Sequence, residues 1–416
     1  MQHPMTNFQN MQTQVSKIKT RNGKIKFSEL LDAIEDLPED TLAATLHYFQ
    51  TKDIGRRTKY LAQMKKGMPE QLFKLLKSRD ILWDVPFPPN KKPTFTFIDL
   101  FAGIGGMRLA FQNLGGACLF SSEWDSQAQT TYRHNFGETP FGDITKISSD
   151  SIPKHKVLVA GFPCQAFSIA GYKGGFDDTR GTLFFDVARI IFDKEPDAFL
   201  LENVKGLKGH DKGKTLATIL RTLREDLGYF VPDPQIMNAR DFGVPQNRER
   251  IFIVGFKSKA AAKRFEYPTP LDTKPVIADI KEKDVVKVKY YLSQQYLSTL
   301  KAHRKRHSDK GNGFGYEVLS DDAIANAIVV GGMGRERNLL VDLRLTNFTP
   351  TTNIKGPVNR EGIRKMTPRE WARLQGFPDE FLIEVSDAQA YKQFGNSVAV
   401  PAVQATAEAL LNALNL

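Results

Sequence analysis

The feature that most constrains this chain is a regular alternation of short apolar runs and helix-patterned stretches between Thr94 and Phe256. Residues 95–100 read as a strand, 107–114 as a helix and 117–120 as a second strand, and a further strand is expected to end near Phe141. Residues 157–160 and 198–201 are apolar throughout, the pattern of strands buried on both faces, and a helix is expected over 184–192 between them. A helix over 216–227 then precedes strand-like runs at 235–238 and 250–256. Such alternation closes on few architectures. It predicts a mostly parallel, doubly wound α/β sheet of Rossmann-like type, with helices on both faces and an antiparallel pair at one edge.

The segments outside this core differ in pattern. Residues 27–82 repeat Leu30, Leu31, Ile34, Leu42, Leu46, Phe49, Leu72 and Leu76 at helix spacing, and Asp36-Leu37-Pro38-Glu39-Asp40 is a helix-start signal. Val85-Pro86-Phe87-Pro88-Pro89-Asn90 is a stiff connector. Residues 1–90 therefore form a helical extension and linker. At the far end, an apolar helix over 401–414 follows Gly395-Asn396-Ser397 and is expected to complete the main domain, which takes in 94–256 and 387–416. Residues 257–386 are left for a smaller mixed domain and hinge.

Charge and cysteine content narrow the function. A formal charge of +11 suits a polyanionic partner, and basic residues concentrate at Lys287, Lys289, the run from His303 to His307, Arg335, Arg337, Arg344, Arg364 and Lys365. Two cysteines in 416 residues argue against a disulfide framework and do not have zinc-site spacing, so a reducing compartment and no metal are expected. No run approaches the ~20 apolar residues that span a bilayer. A cytoplasmic location follows as the expectation.

Several motifs fall at the ends of the expected strands, where open α/β sheets bind ligands. Phe101-Ala102-Gly103-Ile104-Gly105-Gly106 is a glycine turn between a strand and a helix, but Arg108 stands where a dinucleotide fingerprint has its third glycine. Glu123, about 20 residues on, is placed for ribose hydroxyls. Trp124 offers a flat face for an adenine or a sulfonium, and Asp143 an acceptor for an exocyclic amine. Gly161-Phe162-Pro163-Cys164-Gln165 puts one of the two cysteines on a corner after an apolar strand, while Cys118 has the surroundings of a packed core thiol. Glu202, in Leu201-Glu202-Asn203-Val204, is a carboxylate at the same sheet edge. Arg248 and Arg250 precede the last strand and can hold planar oxygens.

Taken in order, these segments resemble the C5-cytosine DNA methyltransferase family of the prokaryotic restriction-modification type, over roughly residues 94–416. The stretch from Arg364-Lys365-Met366-Thr367-Pro368 to Leu374-Gln375-Gly376-Phe377-Pro378 also resembles the segment before that family's last motif. The resemblance implies S-adenosyl-L-methionine as cofactor, held by Phe101, Gly103, Ile104, Gly106, Glu123, Trp124, Asp143, Ile144, Pro163, Leu183, Asn396 and Val398. It implies Cys164 as the nucleophile on C6 of a flipped cytosine, Glu202 at N3, and Arg250 at O2 with Arg248 in support. Double-stranded DNA is the implied partner, bound by a monomer, with Gln165, Ser168, Arg180 and Gln246 at the DNA and a cognate restriction endonuclease as functional companion. Residues 165–182, rich in glycine, suit a lid, in which Ala170 stands where some relatives carry a serine. Residues 257–359 resemble the variable target-recognition segment, where Arg335 and Arg337 are the expected base readers. Two rivals stay open. An RNA cytosine methyltransferase is disfavoured by the long recognition segment, and a silent DNA-binding regulator by the presence of Cys164, Glu202 and Arg250 together.

Overall fold

The computed structural model describes residues 4–163, 183–311, 315–331, 335–351 and 356–416; Cys164, Gln165, Ser168, Ala170, Arg180 and the expected lid lie outside the described residues. Six strands form the central sheet: β1 (Phe95–Leu100), β2 (Gly116–Ser122), β3 (Val157–Gly161), β4 (Ala198–Val204), β5 (Gln235–Asn238) and β6 (Glu249–Phe256). Their spatial order is β2-β1-β3-β4-β6-β5. β1 pairs in parallel with β2 and β3, and β3 with β4, whereas β6 runs antiparallel to both β4 and β5. The expected doubly wound sheet with an antiparallel edge is the observed one.

That topology determines where chemistry can gather. The four parallel strands deliver their carboxyl ends to one edge, and the order reverses between β1 and β3, opening a crevice there. Because β6 runs the other way, it brings its first residues to the same edge, and Arg250 pairs in register with Val204. The expected strand near Phe141 reduces to a single bridge with Ser122. Pro140 has no N–H with which to extend the ladder.

Helices α1 (Gly106–Asn113), α2 (Ser126–Phe136), α3 (Leu183–Lys194), α4 (Lys214–Arg221), α5 (Asp387–Asn396) and α6 (Val400–Leu414) cover the sheet. The expected helix over 216–227 ends early as an α-helix and continues as a wider turn over Thr222–Asp226. Side chains of β3 alternate between two cores: Val157 and Val159 join one, Leu158 and Ala160 the other, and all four are fully buried. Each buried valine or leucine of this kind contributes about 1.5–3 kcal/mol. The first core also holds Val403 and Leu410 of α6, together with Ile277, Ile328, Trp371 and Phe377, so the segment 257–386 shares the main core rather than standing apart. Its own small clusters include Leu292, Leu297, Leu300, Leu339 and Ile363.

The N-terminal extension folds as helices Pro4–Lys17, Phe27–Ile34, Glu39–Gln50, Ile54–Gly67 and Glu70–Lys77. Its Leu30, Leu42 and Leu46 belong to the same continuous apolar cluster as Leu158 and Phe199 of the sheet. It is packed on the central sheet. Among the described residues no helix is long and apolar enough to cross a membrane.

Candidate active site

A cleft of about 630 Å³ opens along the carboxyl edge of the sheet. At one end lies the glycine turn. Phe101 leaves β1 with φ +57°, a left-handed conformation that costs a non-glycine residue free energy and recurs at ligand sites. Gly105 caps α1 at φ +87°, and a Cβ there would collide with the Phe136 ring. On Gly106 a Cβ would come within 2.9 Å of Ser397 and Val398, because the C-terminal motif closes directly on this turn. That closure is held by α5: Gln393 accepts from Thr131 Oγ1 at 2.9 Å and donates to the Gln127 carbonyl at 2.8 Å, while Lys392 donates to Asp125 at 2.6 Å. The turn after β1 and the C-terminal motif thus meet at one pocket.

Glu123 joins the turn to the end of β2. One of its carboxylate oxygens accepts from the Gly103 N–H and the other from the Asp125 N–H, each at 2.8 Å. Burial raises its pKa, and those two N–H groups oppose the rise. Beside it Trp124 is 80% exposed, a large aromatic face turned to solvent at the mouth of the cleft. Asp143 Oδ1 accepts from the Thr145 N–H at 3.0 Å and hydroxyl at 2.8 Å. Its partial burial is outweighed by these bonds and by Lys146, so the carboxyl is held below its usual range and stays ionised. Ile104, Ile144, Leu183 and Val398 add apolar wall, and Asn396 is exposed at the rim.

Asp99 also lines the cleft, a residue the motif reading passes over inside strand β1. It is 1% exposed, and neither carboxylate oxygen has a hydrogen bond of ordinary geometry. Burial pushes its pKa up to about 8, against the weaker pull of Arg108. An acid between apolar neighbours in Ile98-Asp99-Leu100 was the available signal: a charge is expensive there unless something in the cleft meets it.

At the other end, β3 leads into Phe162 and Pro163, immediately before Cys164. Asn203 Nδ2 donates to the Phe162 carbonyl at 2.8 Å, and Asn203 Oδ1 accepts from the Val204 N–H at 2.8 Å, so the end of β4 holds the approach to the cysteine. Glu202 and Arg250 pair at 3.0 Å within the same cleft. Burial raises the Glu202 pKa, with Arg250 and then Arg248 opposing. Arg250 Nη1 donates to the Glu249 carbonyl at 2.9 Å, and its Nη2 has no partner among the described residues.

Arg248 plays a different part from its neighbour. It is 2% exposed, and its guanidinium donates to the carbonyls of Ile328 at 2.9 Å, Gly395 at 3.1 Å and Ser397 at 2.6 Å. Burial, with Arg250 adding to it, lowers its pKa to about 9. These bonds tie the arginine motif to the backbone of the C-terminal motif and of Ile328. Gln246, expected at the DNA, is fully buried: its amide donates to the Leu374 carbonyl at 2.8 Å and to Gln375 Oε1 at 3.1 Å, and accepts from the Ile328 N–H at 3.0 Å. None of its side chain is offered to a partner. Arg108, in place of a third glycine, turns away from the cleft to pair with Glu138 and donate to the Tyr132 hydroxyl at 2.9 Å. Arg335 and Arg337 are exposed, the former over the Tyr391 ring at 5.3 Å. Cys118, half-buried against the core, donates to the Phe120 carbonyl at 3.4 Å, and the burial of its thiol pushes the pKa far up.

The fold and this cleft define an α/β protein with a paired acid and guanidinium at the carboxyl edge of its sheet. The sequence profile of the C-5 cytosine-specific DNA methylases matches residues 95–412, and the chain belongs to that family as a DNA cytosine methyltransferase. It is 65% identical over 353 residues to the Type II methyltransferase M.HpaII of Haemophilus parainfluenzae, covering 84% of this chain and 99% of the relative. With the Type II methyltransferase M.HhaI of Haemophilus parahaemolyticus it shares 40% over 332 residues, 77% of this chain and 95% of that one. The crystal structure of the S. pombe Dnmt2 methyltransferase superposes with a TM-score of 0.58 at 19% identity, over 77% of this chain and all of that one, which bears on the fold alone.

Proposed function

We propose that the protein transfers a methyl group from S-adenosyl-L-methionine to C5 of a cytosine flipped out of a specific site in duplex DNA, through a covalent bond from Cys164 to C6. The observation that carries this reading is the placement of Glu202 and Arg250, paired at 3.0 Å, beside the Phe162–Pro163 approach to Cys164 and across one cleft from Glu123, Trp124 and Asp143.

The cleft residues fit the cofactor's chemistry. Glu123 suits the ribose hydroxyls and ionised Asp143 the adenine amine, while Trp124 provides a face for a ring or a sulfonium. The unmet carboxyl of Asp99 suits the ammonium of the amino-acid end. When bound, the cofactor supplies an electrophilic methyl carbon on a sulfonium. C5 of cytosine is a poor nucleophile on its own. Addition of the Cys164 thiolate to C6 turns C5 into an enamine carbon, and a protonated Glu202 donates to N3 to take up the charge. Its buried, raised pKa favours that protonated form. Arg250 directs its remaining N–H groups to O2. Once C5 carries the methyl group, loss of the C5 proton to a base expels the thiolate, and return of the N3 proton to the Glu202 carboxylate restores the neutral aromatic ring.

The base must leave the stack for this to occur, since neither C6 nor N3 of a stacked, paired cytosine is open to these groups. The basic recognition segment would hold the duplex, with Arg335 and Arg337 reading bases. The named Type II relatives support a place in a restriction-modification system; a monomer acting on DNA in the cytoplasm, with a cognate endonuclease as companion, completes the proposal. Bisulfite sequencing of DNA from cells expressing the protein tests the activity and target together: 5-methylcytosine in one sequence context is expected, and none anywhere would overturn the reading.

A further inference from the structure

The packed N-terminal extension lies outside the family match, which begins at residue 95. Two of its contacts with the rest of the chain, from Glu39 and His47, reach the two loops that carry Glu123 and Asp143. Gln129 of α2 is 3% exposed and uses its amide NH2 twice: it donates to the carbonyl of Glu123 and to Glu39 Oε1, both at 2.6 Å. Glu39 begins the helix Glu39–Gln50, and its carboxylate also lies beneath Gly142, 3.1 Å from where a Cβ would stand. One acid of the extension therefore touches both the partner of Glu123 and the residue next to Asp143.

A second contact comes from the far end of the same helix. The His47 ring stacks on Phe141 at 4.8 Å with planes 9° apart, and Tyr60 of the extension stacks on His47 at 5.6 Å. Phe141 in turn stacks on Phe120 of β2 at 5.1 Å. The backbone of Phe141 is what aligns the two loops: its carbonyl accepts from the Glu123 N–H at 2.9 Å and its N–H donates to the Ser121 carbonyl at 2.8 Å. Pro140 limits this pairing to one bridge, so the loop carrying Asp143 lacks the ladder that would otherwise fix it. The stack of rings substitutes for those hydrogen bonds. Burial keeps His47 neutral, with Glu138 pulling the other way and Arg108 and Arg56 adding to the effect of burial, so it serves as a flat, uncharged ring.

We propose that Glu39 and His47 are positioning residues for the cofactor: the extension holds the loops of Glu123 and Asp143 at the separation that the nucleoside of S-adenosylmethionine requires. This rests on the cofactor reading above. Neither residue touches the nucleoside. Each acts through one intermediary, Gln129 or Phe141, and the extension is thus part of the machinery of methyl transfer rather than an appended module.

The test is titration of the full-length protein with S-adenosylmethionine in the absence of DNA, combined with steady-state kinetics, for Glu39→Ala, Glu39→Gln, His47→Ala, His47→Phe and Lys59→Ala. Glu39 is exposed on its other side, so its substitution leaves the fold intact. Loss of one partly exposed hydrogen bond predicts a roughly five- to tenfold rise in Kd and KM for the cofactor in Glu39→Ala, with kcat and DNA affinity within about twofold of wild type. Glu39→Gln keeps the acceptor oxygen and His47→Phe keeps the ring, and both are expected to restore cofactor affinity. Lys59 donates to the Asp150 carbonyl at 3.2 Å elsewhere on the same interface, and its alanine variant should bind cofactor normally. Wild-type cofactor affinity in Glu39→Ala would overturn the proposal, as would equal weakening by Lys59→Ala or a parallel fall in kcat and DNA affinity. If His47→Ala does not fold, the Glu39 pair decides. Failure of the wild type itself to bind S-adenosylmethionine would overturn the function proposal and this one with it, whereas wild-type binding with unaltered variants removes only this one.

Discussion

Asp99→Asn should make the protein more stable at neutral pH, although it removes the carboxyl proposed to meet the cofactor's ammonium. The Asp99 carboxyl is fully enclosed beneath the cleft and its pKa is pushed up to about 8 from an ordinary 3.8, with burial as the main cause. Between those two values the unfolded chain has lost this proton and the native chain keeps it. Native protein binds more protons than unfolded protein over that interval, so its stability falls as pH rises, by about 1.4 kcal/mol per unit. At pH 7 the accumulated cost is about 4 kcal/mol; at pH 5 it is under about 2 kcal/mol. Asparagine carries no such titration. Its amide has the same scarcity of partners, but that penalty is independent of pH. Urea unfolding of wild type and variant at pH 5, 6 and 7 isolates the effect, because the other titrating groups cancel in the difference. The advantage of the variant should grow by about 3 kcal/mol from pH 5 to pH 7. Saturating S-adenosylmethionine should shrink that growth, since a bound ammonium favours the ionised carboxylate. A difference between the two proteins that does not change with pH would refute the reasoning.

Three other outcomes follow from the site. Glu202→Gln should lower kcat by about 10²–10⁴-fold while leaving cofactor affinity near wild type, as measured by single-turnover methylation and direct titration, because the acid acts on the base and not on the cofactor. Arg248→Ala strips the donor from three carbonyls, two or more of them buried, and should destabilise the protein by at least ~3 kcal/mol in urea, whereas Arg250→Ala should spare stability and reduce turnover. Alanine at Arg335 or Arg337 should relax the sequence preference at one position by about 1–3 kcal/mol in competition binding; equal weakening on all duplexes would assign the residue to phosphate contact instead.

Most of the sheet was legible because its strands carry their burial in their composition: 157–160 and 198–201 are apolar at every position, as strands covered on both faces must be. The pairing of Glu202 with Arg250 was legible for a related reason: Glu202 stands near the carboxyl end of a parallel strand and Arg250 near the start of the antiparallel strand beside it, so both positions map to one edge. The expected strand at Phe141 failed on Pro140, a local signal that an apolar-run reading underweights. Gln246 looked available because it is polar and beside arginines, yet its amide is matched by three hinge partners from residues 328, 374 and 375. No local pattern reports such partners. Asp99 was passed over because the strand reading absorbed it, and Glu39 and His47 because their partners stand 90 and more residues away in sequence.

The central claim is that Cys164 forms a bond to the target cytosine within a site built from Glu202 and Arg250. It is tested most directly by incubating the protein and S-adenosylmethionine with duplex DNA whose target carries 5-fluorocytosine, then denaturing and weighing the products. Fluorine at C5 cannot leave as a proton, so the wild type should yield a stable protein–DNA adduct carrying one methyl group, absent with Cys164→Ser. Methylation of ordinary cytosine at that site without any adduct on the fluorinated base, or an adduct that persists in Cys164→Ser, would contradict the account.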